Sequence, residues 1–133
     1  MMILFDTDTV SALLRQERRA VAHALRVPAR LWHVSTITVG EVLVGVEKSG
    51  RHEHIRLALE EQLLPAVTVL TFVLPSARIY ARLRAELERQ GQRLHEPDLR
   101  IASIALAHDL TLITGNEKHF ARVPELRVEN WLA

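Results

Sequence analysis

The sequence predicts an α/β fold, with a central, mostly parallel sheet of four to five strands flanked by helices. Short apolar or β-branched runs recur at residues 2–5, 31–35, 67–70, 110–114 and 126–129, and longer stretches with helical spacing of apolar residues separate them. Strands that alternate with helices are joined by crossovers, and crossovers make parallel pairs. No internal repeat, low-complexity tract or linker divides the chain, so residues 1–133 are expected to form a single domain.

The first run ends in Asp6-Thr7-Asp8, polar residues able to start a helix, so the chain opens on a β-to-α transition. Apolar residues at helical spacing then mark helices at 11–14 and 20–27, the second closed by Pro28. After the strand at 31–35, Val39, Val42, Leu43 and Val46 give one face of a helix over 38–48, with Gly50 beyond it as a stop. A helix over 55–64 breaks at Pro65, and the β-branched run 67–70 follows. An amphipathic helix over 77–90 carries Ile79, Leu83 and Leu87 on its inner stripe and ends at Gly91. Pro97 suits the first turn of a helix over 98–108, where Ile101, Ala102, Ile104 and Ala105 leave so much of the circumference apolar that the helix should be buried.

Composition narrows the chemistry. With 48% hydrophobic residues the chain can fill a core, and 17 Lys and Arg against 16 Asp and Glu give no global charge to attract a polyanion. Any nucleic-acid contact must therefore be local. The absence of cysteine removes disulfides, thiolate metal sites and thiol nucleophiles, leaving oxygen and imidazole as metal ligands. The first apolar run lacks a basic segment before it, and no stretch approaches membrane-spanning length, so a soluble, cytoplasmic protein is expected.

In an open parallel sheet, ligands gather beyond the carboxyl ends of the strands. Asp6 and Asp8 follow the first strand, Glu41 falls near the start of the helix after the second, Asp98 opens the buried helix, and Asn116 follows the fourth strand just after Thr114. Each has a simpler explanation. Acids favour helix N-termini, Asp6 or Asp8 can be an N-cap, Thr38-Val39-Gly40-Glu41 fits a capping box with Glu41 in the first turn, and Asn116 fits a turn. Those explanations do not account for residues from distant parts of the chain arriving at one sheet edge. Clustered carboxylates repel unless a cation neutralises them, and oxygen ligands select a hard ion, Mg²⁺ or Mn²⁺. Such an ion orients water and stabilises phosphoryl oxygens, which is the chemistry of phosphodiester hydrolysis.

The ordered set Ile-Leu-Phe-Asp6-Thr7-Asp8, Ser35-Thr36-Ile37-Thr38-Val39-Gly40-Glu41, Pro97-Asp98-Leu99-Arg100-Ile101-Ala102 and Leu112-Ile113-Thr114-Gly115-Asn116 with Phe120 resembles VapC-type PIN-domain toxins. The ending, Val123-Pro124 through Val128-Glu129-Asn130-Trp131, is similar to that family's C-terminal signature. The resemblance implies a metal-dependent endoribonuclease, the toxin of a toxin–antitoxin pair, using Asp6, Glu41 and Asp98, with Thr114 holding a carboxylate or water. It implies cleavage that leaves a 5′-phosphate. Where many relatives carry Asp, this chain has Asn116, and where Asn is usual in the opening it has Asp8, so one ion or two remains open. The resemblance also implies a homodimer and a small antitoxin that lays an apolar segment on the toxin, for which Leu13, Leu14 and the helix after Gly50 offer apolar surface. For RNA, Arg100, Lys118 and Arg93 lie nearest the predicted pocket in sequence, with His119 beside them. Arg82, Arg84 and Arg89 suit ordinary ion pairs on a solvated helix equally well.

Two other readings compete. Phe5-Asp6-Thr7-Asp8-Thr9-Val10 also resembles the opening of haloacid-dehalogenase-like phosphatases, with Asp6 as nucleophile, but the stretch after Ile113 lacks that family's acidic pair and Glu41 would have no task. The other is a non-catalytic PIN-like module that binds only protein, its acids serving as caps. His52-Glu53-His54 is poorly spaced for a metal site on a helix, and His95 is a supporting group near Asp98.

Overall fold

A computed structural model describes all residues 1–133. Five strands, β1 (Ile3–Phe5), β2 (Trp32–Ser35), β3 (Thr68–Leu70), β4 (Thr111–Ile113) and β5 (Val128–Glu129), form one sheet in the order β3-β2-β1-β4-β5. Every pairing is parallel. The helices are α1 (Thr7–Leu14), α2 (Arg18–Ala24), α3 (Thr36–Ser49), α4 (Glu53–Leu57), α5 (Leu74–Arg89), α6 (Glu96–Ala107) and α7 (Glu117–Phe120). After α4 the chain widens into a π-helical stretch, Ala58–Leu63, then tightens into a 3-10 turn, Leu64–Ala66, containing Pro65. The single helix expected over 55–64 is thus three kinds of turn.

Residues one apart on a strand face opposite sides of the sheet. Ile3 and Phe5 accordingly pack with Val10, Val34, Val42, Val46, Leu59 and Ile113 on one side. Leu4 packs on the other with Leu83, Leu87, Leu99, Ile101, Ile104 and Leu112. Strand β1, central and fully buried, is continuously apolar because both of its faces are covered. Helix α6 is buried over Leu99 and 101–105, as its sequence predicts; within it, the Ser103 hydroxyl donates to Leu99 O at 2.7 Å. On α5, Leu83 and Leu87 are buried but Ile79 is only partly so, and Ser76 takes the remaining inner position.

Stops follow the predicted chemistry at α3, where Gly50 sits at φ +62° and its amide donates to Val46 O. The start of α3 differs from the sequence expectation. Ser35, at the buried end of β2, is the N-cap and accepts from the Thr38 amide at 3.2 Å, so the helix begins one turn earlier. Glu41 therefore lies in the second turn, outside any capping box, and its carboxylate is available for other contacts.

Candidate active site at the carboxyl edge of the sheet

The register fixes what gathers at the edge. Phe5 pairs with Val34 on one side and Ile113 on the other, so Asp6, Ser35 and Thr114 emerge side by side. The Asp6 amide donates to Ile113 O at 3.0 Å, extending the ladder by one bond. Asp6 is the N-cap of α1: its Oδ1 accepts from the Thr9 amide at 2.9 Å, while the Thr9 hydroxyl donates to Ile113 O at 2.8 Å. The bland explanation for Asp6 is correct and incomplete. Only 3% exposed, the carboxyl is pushed up to about 6, chiefly by burial, with the charge of Asp8 adding to the rise. Thr114 and Thr9 oppose the shift by hydrogen bonding.

Glu41 reaches across from α3, and its Oε1 accepts from the Thr7 hydroxyl at 2.6 Å. Sequence reasoning passes over Thr7; a hydroxyl between two aspartates in the opening turn is the signal that points to it. Asp98 sits in the first turn of α6, half-buried, and its carboxyl is also raised, first by burial and then by Glu41 and Asp8, with His95 and His119 opposing. Asn116 closes the far side. Its Nδ2 donates to Asp8 Oδ2 at 2.8 Å and its amide to the Thr114 hydroxyl at 3.0 Å. Asn116 caps α7 by position but makes no side-chain cap bond, so the amide serves Asp8 instead of a turn.

The fold thus brings Asp6, Asp8, Glu41, Asp98, Thr114 and Asn116 to one edge. It directs two of the three basic candidates elsewhere. Arg100, two residues beyond Asp98, turns to another face of α6, where it pairs with Glu96 at 3.3 Å and lies over the rings of Phe72 and Tyr80 at 5.9 and 5.8 Å. Arg93 pairs with Glu88 at 3.6 Å. Lys118, on α7 directly after the site, is exposed and makes no ion pair.

The donor set suits a hard cation. All the acidic donors are carboxylate oxygens, and two of them, Asp6 and Asp98, are raised by burial and by the charge of neighbouring carboxylates, which a bound cation would reverse. No three Asp, Glu or His side chains close into a preformed cage. An ion held here would therefore rest on one or two of these carboxylates with water completing its shell, a mode of binding open to Mg²⁺.

Residues 3–126 match the PIN domain family. The chain belongs to that family. Ribonuclease VapC2 of Haemophilus influenzae is 33% identical over 129 residues, covering 97% of each chain. The tRNA(fMet)-specific endonuclease VapC of Salmonella typhimurium is 29% identical and covers 96% of each. The crystal structure of VapBC2 from Rickettsia felis, bound to a DNA fragment from their promoter, superposes with a TM-score of 0.88 at 30% identity, over 98% of this chain and 99% of that one. This PIN domain is therefore of the VapC type, and the phosphatase reading of its first strand is set aside. Its edge carboxylates come from the end of β1, from α3 and from α6.

Proposed function

We propose that this PIN domain is an endoribonuclease toxin that hydrolyses RNA phosphodiester bonds at Asp6, Glu41 and Asp98, with Mg²⁺ or Mn²⁺ resting on Asp6 and Asp98 and on bound water, and that a small antitoxin restrains it. The observation that carries the reading is the meeting of those three carboxylates, from distant segments, at one sheet edge with no cationic side chain among them. When bound, a divalent ion supplies Lewis-acid charge and an acidified water beside the phosphate.

The protein's own groups do the rest. Asp6 enters from the buried end of β1 and Asp98 from the half-buried first turn of α6. Thr7 fixes the Glu41 carboxylate through Oε1, which leaves Oε2 without a protein partner and ready to take a proton from the attacking water. Water oxygen bonds to phosphorus as its proton passes to Glu41, the bond to the 3′-oxygen breaks, and that oxygen takes a proton from solvent water, so that a 5′-phosphate and a 3′-hydroxyl result. Thr114 steadies Asp6, and Asn116 steadies Asp8, which holds both aspartates in place. Lys118 and His119, exposed on α7, are the nearest groups for RNA phosphate.

Antitoxin docking is supported by an apolar groove of about 220 Å³ lined by Leu13, Leu14, Val21, Leu25, Trp32 and Leu63, with Leu25 81% exposed at its rim. The test is cleavage of structured RNA by purified protein with Mn²⁺ or Mg²⁺, against EDTA and an Asp98→Asn variant. A drop in cleavage of at least about 100-fold is expected in both controls. Cleavage that survives Asp98→Asn would sink the reading.

A further inference from the structure

Thr7, Ser11 and Arg15 are spaced four residues apart and so line one side of α1 and its C-cap. Glu41 and Gly45, also four apart, stand opposite on α3. Between them lies a cavity of about 200 Å³ that also takes in His52 at the start of α4. The cavity exists because its middle is lined by small residues: Ser11 on one wall and Gly45 on the other, where an added Cβ would meet nothing within 4 Å. One end is the carboxylate site itself, since Thr7 and Glu41 belong to both. The other end carries Arg15 and His52, both exposed and neither in an ion pair.

Clefts that enclose a whole small ligand run to roughly 300–1,000 Å³, so a smaller, open groove suits a segment of something longer that passes through. Its polar groups run in order from the Glu41 carboxylate through the Ser11 hydroxyl to two basic side chains, over an apolar bed of Val42, Val46 and Ile55. From Thr7 to Arg15 is about 12 Å along the helix, several times the ~3.4 Å rise per nucleotide of a stacked strand, so an anion at Arg15 is distinct from the one at the carboxylates. A guanidinium at the C-cap also complements the negative end of α1, which accounts for Arg15 alone but not for the open channel leading to it.

We propose that this groove holds the RNA strand beside the cleaved bond, with Arg15 and His52 on a neighbouring backbone phosphate and Ser11 hydrogen-bonded to the same backbone. The proposal rests on the ribonuclease reading. Its test is binding of a labelled single-stranded RNA oligonucleotide of mixed sequence across a salt series, with every variant carried in the non-cleaving Asp98→Asn background. Arg15→Gln with His52→Gln should weaken binding about tenfold and flatten the dependence of log K on log salt by about 0.7 for each phosphate that is no longer neutralised. Gly45→Leu, which alters no charge, should also weaken binding by filling the channel. Gly45→Ala tests the same wall with the smallest change and favours the helix. Arg30→Gln precedes β2 at the opposite edge of the sheet and should bind as the background does.

Unchanged affinity and slope in the Arg15/His52 and Gly45 variants, where the wild-type protein cleaves RNA, would overturn the groove and leave the ribonuclease standing. An Asp98→Asn background that does not bind RNA, together with a wild type that does not cleave it, would overturn both. Variants that keep RNA affinity but lose binding to an acidic peptide would give the groove to a protein partner and overturn the proposal.

Discussion

The carboxylates of this protein live in two contrasting settings. On the outer surface of α5 and α6, Glu86, Glu88 and Glu96 are each matched by donors: Arg89 and Gln90 serve Glu86, Arg84 and Arg93 serve Glu88, and Tyr80, Arg84 and Arg100 serve Glu96. Their carboxyls are held below the usual range, by Arg89, Arg84 and Tyr80 respectively in the first place. At the sheet edge, Asp6 and Asp98 are raised instead, chiefly by burial, and no Arg or Lys answers them. The chain has arginine enough to pair its surface acids and places none within the edge. A buried carboxylate without a countercharge is costly, which is the arrangement expected where the countercharge comes from outside the chain.

The sharpest way to test that contrast is Asp6→Asn. Asparagine still caps α1 through its side-chain oxygen, so the helix start is retained. RNA cleavage should fall by at least about 100-fold. Metal-free protein should become more stable, by on the order of 2 kcal/mol, because a buried charge has been removed. The pH dependence has the matching sign. With Asp6 near 6 in the folded chain and 3.8 as its ordinary value, the folded state binds the extra proton between those values. Stability of metal-free wild type should therefore rise as pH falls from about 6 to 4, by on the order of 3 kcal/mol from Asp6, with Asp98 adding in the same direction. Thermal midpoints in EDTA across that range check both statements. A flat profile in wild type, or an Asp6→Asn protein less stable than wild type at pH 7, would remove the contrast.

How far the sequence reveals this arrangement depends on the range of the forces involved. The parallel sheet, the buried α6 and the Gly50 stop follow from local periodicity and φ preference, which a single chain displays directly. Local pattern puts Glu41 in a capping box because Ser35 and Thr38 are both able caps. The choice between them belongs to the buried end of β2, which local pattern does not display. Arg100 is close to the pocket in sequence, two residues from Asp98, yet two residues on a helix reverse the face. The bond between Asn116 and Asp8 joins positions 108 residues apart, and the channel between Ser11 and Gly45 is a property of two packed helices. Neither leaves a trace in local spacing.

The Asn116–Asp8 bond offers a smaller and more specific test. Here an amide does for Asp8 what arginine does on α5. Asn116→Asp would replace a donor by a second carboxylate facing the first, and the pair would then need a proton or a cation between them. Metal-free stability should fall by about 1 kcal/mol at pH 7, moderate because both side chains are exposed. The variant should also gain more from Mn²⁺ than wild type does, since a cation can now bridge the pair. Equal midpoints with and without Mn²⁺ in the two proteins would show that Asn116 is a bystander.

The smallest effect belongs to the other side of the comparison. Glu88 has partners in Arg84 and Arg93, but all three side chains are exposed, with 42% of Glu88 reached by solvent. Exposed ion pairs gain little over water and are screened by salt. Glu88→Gln should leave the thermal midpoint unchanged within error in physiological salt, and RNA cleavage with it. A shift as large as that of Asp6→Asn would mean that the α5–α6 network is a structural core and not a solvated surface. If so, ordered pairing on α5 and α6 and the lack of positive charge at the sheet edge would be parts of one electrostatic design, coupled through α6, which carries both Glu96 and Asp98.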